Sequence, residues 1–180
     1  MNKNKVVGIS LFAVMLLNAC GFEVIQRAET KYLAQDYQAA ADLLKLYLDD
    51  HPHADLARRK WAHSLYENGR YREAVSQFEK VLANRPQDIF SRIYLGLAYL
   101  RLGDYQKTLA GWHRLKVTEG SLIAEVKSSQ ISRIAVRAPE IASENQLNDL
   151  ANQVESAVEE AYFAEQQRDA YNASRLEGCG

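Results

Sequence analysis

Apolar residues in this chain keep the spacing of a helix face, and the pattern returns every 34 residues through the first two-thirds of the sequence. Tyr37, Tyr71 and Tyr105 fall in step, as do Ala40, Ala74 and Thr108, and Pro52 with Pro86. Small residues align at Ala28, Ala62 and Gly96, where two helices must approach closely. Bulky ones align at Leu44, Phe78 and Trp112, with Trp61 and Leu95 beside the first gap. A turn signal interrupts each copy midway, at Gln35-Asp36, Gly69-Arg70 and Gly103-Asp104. The pattern predicts helix-turn-helix units over residues 21–54, 55–88 and 89–122. None is large enough to bury its own apolar face, so they must stack. The expected class is all-α, a solenoid of three helix pairs with additional helices C-terminal to it.

That extension is expected over residues 123–176, with a short tail at 177–180. Ile123, Val126, Ile131 and Ile134 share a helical face that Pro139 closes. Ser143 followed by Gln146 reads as a capping box opening a long helix that runs to about Glu177, roughly 50 Å at 1.5 Å per residue. Its stripe is Leu147, Leu150, Val154, Ala157, Ala161 and Ala164. Such a helix can cover the apolar end of the stack, pair with a second copy, or lie in the groove of the repeats.

At the other end, Lys3 and Lys5 precede the apolar run Val6 to Leu17, which has the length of a signal-peptide core and is too short to span a bilayer comfortably. Residues 1–19 are therefore expected to be an export signal. Leu17-Asn18-Ala19-Cys20 resembles the bacterial lipobox, in which cleavage before the Cys is coupled to its acylation. The resemblance implies Cys20 as the lipidated first residue and the membrane as a partner through that anchor. With Gly21 rather than Asp next, it implies the outer membrane of a Gram-negative cell, the protein facing the periplasm. Several acyl chains on one Cys give stable anchoring, since burial contributes about 0.8 kcal/mol per CH2.

The repeat columns resemble the tetratricopeptide repeat family: a small residue with a bulky one before it, Gly at the turn, Tyr, Ala, an aromatic, and Pro closing the unit. Copies two and three follow this order well. Copy one has Arg27 and Gln35 at the bulky and turn positions, copy three ends in Gly120, and Val24, Arg58 and Arg92 stand where the family has its first Trp. In that family the concave surface is lined by the first helix of each unit. The resemblance therefore implies a partner-binding groove of Phe22, Ile25, Glu29, Tyr32 and Leu33, then Leu56, Arg59, His63, Tyr66 and Glu67, then Phe90, Ile93, Leu97, Leu100 and Arg101. Such a surface suits an amphipathic helix or an extended apolar peptide. Ordinary packing against the chain's own C-terminal helices is the competing use. The positions that grip chaperone tails in some family members read Ile25, Glu29, Lys60, Phe90 and Tyr94, and a single Lys does not make a carboxylate clamp.

Charge narrows the partners. Removing residues 1–19 takes Lys+Arg from 22 to 20 against 23 acidic residues, so the formal charge moves from −1 to −3. No basic field remains to neutralise phosphates, and nucleic acid is not an expected partner. Cys179, flanked by glycines, is left as an odd thiol for an unstructured tail or an intermolecular disulfide, and a homo-oligomer is possible on that account or through the long helix. Asp49, Asp50, His51, His53 and Asp55 crowd the first inter-repeat turn, a His-x-His set that could hold zinc. An exposed, proline-closed turn without supporting groups argues against it, and neither metal nor cofactor is expected. His63 lacks a Ser, Cys or Asp in register and reads as a groove or packing residue; His113 reads as surface. The expected function is a non-enzymatic outer-membrane lipoprotein adaptor for assembly or targeting of a pilus or secretion machine, resembling pilotin-type and Tad-type lipoproteins. The alternative is a scaffold for peptidoglycan hydrolases or a periplasmic protease.

Overall fold

The computed structural model describes residues 21–115 and 144–177, and every regular element among them is an α-helix. The first compact unit ends at Pro86 and the second begins at Gln87. The first contains α1 (residues 21–33), α2 (Tyr37–Asp50), α3 (Asp55–Glu67) and α4 (Tyr71–Asn84). The second contains α5 (Ile89–Arg101), α6 (Tyr105–His113) and α7 (Glu144–Glu177). The class is all-α, in consecutive packed helix pairs of the kind the 34-residue period predicts. The expected signal segment 1–19 with Cys20, the helix expected over residues 123–138, Ser143 and Cys179 lie outside the described residues.

The mid-repeat turns are built alike. In each, the amide three residues past the last helical residue bonds a carbonyl five residues back: Asp36 to Lys31 at 2.9 Å, Arg70 to Leu65 at 2.8 Å, and Asp104 to Tyr99 at 2.9 Å. This closure requires a left-handed residue just before it, supplied by Gly69 at φ 71°, Gly103 at φ 76° and Gln35 at φ 58°. A Cβ costs energy there, so Gln35→Gly should stabilise the chain by up to about 1 kcal/mol after the flexibility of glycine is discounted, read as a raised melting temperature.

The next helix begins on the same turn. Asp36 accepts from the Ala39 amide at 3.3 Å and Asp104 from the Lys107 amide at 3.1 Å, while Arg70 cannot cap and instead pairs with Glu73 at 2.7 Å. Hydrogen bonds from the Lys31 and Lys107 side chains, then these backbone bonds, hold both aspartates below their ordinary pKa. A depressed carboxyl stabilises the fold above its unfolded pKa, and that contribution disappears as the pH falls through the folded value. Stability should therefore drop on acidification below about pH 4. The Asp36→Asn, Asp104→Asn double variant, which can still cap but cannot titrate, should show a weaker acid dependence in melting curves.

The repeating columns form the cores. In the first unit Ala28, Ala40, Leu44, Ala62, Leu65, Ala74, Phe78 and Val81 have no exposed surface. Trp61 is half-buried against the cluster of Ala28, Ala40 and Leu44. In the second unit a Cβ on Gly96 would stand 2.0 Å from Trp112 Nε1, so the glycine makes room for the indole. The indole donates to the Ile93 carbonyl at 3.2 Å, and the Thr108 hydroxyl is 3.1 Å from that of Gly96.

The long helix starts where the capping box predicts, but its inward face differs. Ala151, Val154, Val158 and Ala161 are buried, whereas Leu150 and Ala157 are only half-buried and Ala164 is exposed. The cause is polar: Arg101 on α5 bonds Asn152 at 2.6 Å and Glu155 at 2.7 Å and reaches Asn148 at 3.5 Å, which turns that face of α7 toward α5.

Candidate functional site

The first helices of the repeats carry the positions assigned to the groove, and the two units treat them differently. In the first unit, α1 and α3 lie side by side. Phe22 is 66% exposed near the start of α1 and Leu56 is 53% exposed near the start of α3. A cavity of about 550 Å³ opens at this end of the unit, its apolar lining made by Ile25, Tyr47, Ala54, Leu56 and Ala57, with Glu29, His53, Asp55 and Arg85 around it. It has room for bulky apolar side chains of a bound polypeptide.

Further along the same two helices the face turns polar. Glu29 and Lys60 form an ion pair, and the Lys60 ammonium lies 5.6 Å from the centre of the Tyr32 ring. The one basic residue among the clamp positions is thus paired with Glu29. The Tyr32 hydroxyl is 2.8 Å from His63 Nδ1, and His63 Nε2 is 3.1 Å from Glu67 Oε1. Tyr37 meets both rings edge-on, at 5.9 Å from Tyr32 and 5.6 Å from His63.

Burial, reinforced by Tyr37, pushes the Tyr32 hydroxyl above the ordinary tyrosine range. Its phenol stays protonated, so it donates a hydrogen bond and is no nucleophile. This chain of side chains orients α1 on α3. Arg59 is half-buried in the same region and partly offsets the shift on Tyr32, and Tyr66 is buried with its ring centre 5.3 Å from that of Tyr71.

In the second unit the assigned positions are covered. Ile93, Leu97 and Leu100 are buried, so they are core rather than open lining. Phe90 stacks on Tyr94 at 4.5 Å and meets Tyr162 of α7 at 5.5 Å, while Arg101 holds Asn148, Asn152 and Glu155. Positions 90, 94, 97 and 101 form one stripe on α5. Its start meets residue 162 and its end meets residues 148–155, so α7 runs antiparallel along it. The long helix therefore packs along the face of α5 that carries these assigned positions.

Three of the five residues crowded at the first inter-repeat turn have side-chain partners. His51 Nδ1 is 3.0 Å from the Tyr47 carbonyl and its ring stacks on Tyr47 at 4.2 Å, Asp49 pairs with Lys45, and Asp55 accepts from Asn84 at 3.0 Å. His113 is exposed.

Residues 31–90 match the family model of the tetratricopeptide repeat. The match spans a third of the chain, encloses α2, α3 and α4, and supports a tetratricopeptide-repeat protein. No curated protein sequence matches the chain. Tetratricopeptide repeats are typically non-catalytic scaffolds for protein–protein interaction, and the open face of α1 and α3 is where such an interaction has room. No helix among the described residues is long and apolar enough to cross a membrane. Sequence reasoning missed Glu67 as the partner of His63, although the i,i+4 spacing was there to be read, and missed the three α7 residues that hold Arg101.

Proposed function

We propose that this tetratricopeptide-repeat protein is a non-enzymatic adaptor that is lipidated at Cys20, sits on the periplasmic side of the outer membrane, and uses the α1–α3 face to hold a protein component of a pilus or secretion machine during its assembly. The observation that carries the binding part is a cavity with exposed Leu56 in its lining, together with exposed Phe22 at the start of α1. Exposed large apolar residues beside a concavity mark a docking site. Support for the anchor comes from the sequence: Leu17-Asn18-Ala19-Cys20 at the end of the apolar run. Gly21 alone separates that Cys from Phe22, and one extended residue reaches about 3.5 Å, so the anchor would bring the docking face against the headgroups.

The two parts are tested separately. Cys20→Ser should move the protein from the outer-membrane fraction to the soluble fraction; unchanged fractionation refutes the anchor. Phe22→Glu with Leu56→Glu should keep the fold and the membrane location while abolishing co-purification of the partner and leaving the secretin or pilus component unassembled. Normal assembly in that variant refutes the docking face.

A further inference from the structure

We infer that the groove stripe of the third repeat is a second helix-binding site, and that α7 is this chain's own exchangeable occupant of it, standing where a partner's amphipathic helix docks. The inference rests on the reading of the chain as a groove-binding adaptor and names the chemistry of what the groove takes. Phe90 and Arg101, two positions assigned to the groove, both touch α7 and bracket a third, Leu97. The occupant is thus seen in place, antiparallel to α5, presenting small apolar residues on one face: Ala151, Val154, Val158 and Ala161. Beside that seam run Asn148, Asn152 and Glu155, all directed at the one guanidinium of Arg101.

Two features distinguish this contact from the one between α5 and α6. There, Trp112 fills the gap at Gly96 and cannot leave without opening a hole. Here the buried α7 side chains among the described residues are alanine and valine, and orientation comes from the Tyr162 ring on Phe90 and from carboxamide and carboxylate groups, all of which another helix can reproduce. The partner is therefore a helix with a small-residue seam and an Asn or Glu at each of two positions one turn apart that meet Arg101. Any such helix competes with α7 for the same stripe.

The probe is a fluorescent synthetic peptide of residues 144–164, added to the full chain and followed by anisotropy. Asn152→Lys with Glu155→Lys repels α7 from Arg101 while leaving α5 intact, and should raise peptide affinity about tenfold or more over the wild type, within the usual range of coupling between competing states. Adding Arg101→Glu should abolish capture. Failure of the folded double-Lys variant to capture the peptide overturns the inference, as does equal capture by the Arg101→Glu protein.

If the double-Lys variant does not fold, hydrogen exchange on the wild type decides. Amides of residues 151–161 should exchange faster than those of α5 and α6, and equal protection makes α7 a fixed part of the unit. Neither readout uses the lipid or the Phe22–Leu56 face. The outcome is thus separable from that of the proposed function.

Discussion

Gly96→Ala should destabilise the second unit by about 2 to 6 kcal/mol, the sum of roughly 1–3 for overpacking and roughly 1–3 for a buried donor pulled from its acceptor. The added methyl would sit 2.0 Å from Trp112 Nε1, 2.5 Å from Cε2 and 2.7 Å from Cδ1, so the whole indole must move. Trp112 is 2% exposed and cannot swing into solvent without opening the core, and the shift breaks its bond to the Ile93 carbonyl. At about 4–8 °C per kcal/mol for a domain of this size, the change is visible in a simple thermal melt followed by circular dichroism. Gly111→Ala, on α6 with nothing within 4 Å of the new methyl, is the control. It should stabilise, because alanine favours a helix interior by up to about 1 kcal/mol over glycine. Trp112→Phe in the Gly96→Ala background should recover part of the loss, since a smaller ring leaves room for the methyl. Equal melting temperatures for Gly96→Ala and the wild type would mean that the close approach of α5 and α6 is misplaced.

The same glycine explains why so much of the fold was legible. A close helix approach needs a small residue whatever its neighbours are, so Ala28, Ala62 and Gly96 betray the period, as do the bulky residues that fill the opposite positions. The left-handed turns could be located at Gly69 and Gly103 directly; at Gln35 only the step of 34 reveals them, because glutamine carries no turn preference of its own.

The candidate site was legible by position only. Which helix presents Phe22, Leu56, Phe90 and Arg101 follows from the period, but what covers them does not. Arg101 and Glu155 lie 54 residues apart in no repeating relation, and their bond sets the rotation of α7. Hydrophobic periodicity alone chose Leu150 and Ala157 for the inward face. The polar register to Arg101 goes with a rotation of about 50°, half a residue, which keeps Val154 and Ala161 inward and brings in Ala151 and Val158. The His63–Glu67 pair is the opposite case: a local i,i+4 contact that needed no tertiary knowledge.

Phe78→Ala should cost about 3–5 kcal/mol, enough to consume much of the stability of a domain this small. The ring has no exposed surface and lies on α4, in the sequence column that holds Leu44 one repeat earlier and Trp112 one repeat later. Because neighbouring positions Ala74 and Val81 are also fully buried, nothing nearby can expand into the vacated volume without breaking its own packing. Leu44→Ala should follow at about 2–5 kcal/mol, while Phe78→Leu, which keeps most of the volume, should cost far less than Phe78→Ala. Trp61 on the adjoining α3 is half-buried and reports the change, its emission shifting red at a lower denaturant concentration in Phe78→Ala than in the wild type. A Phe78→Ala midpoint equal to that of the wild type would mean that the aromatic column faces outward. The helix pairs would then be held by something other than the stacking of 34-residue units.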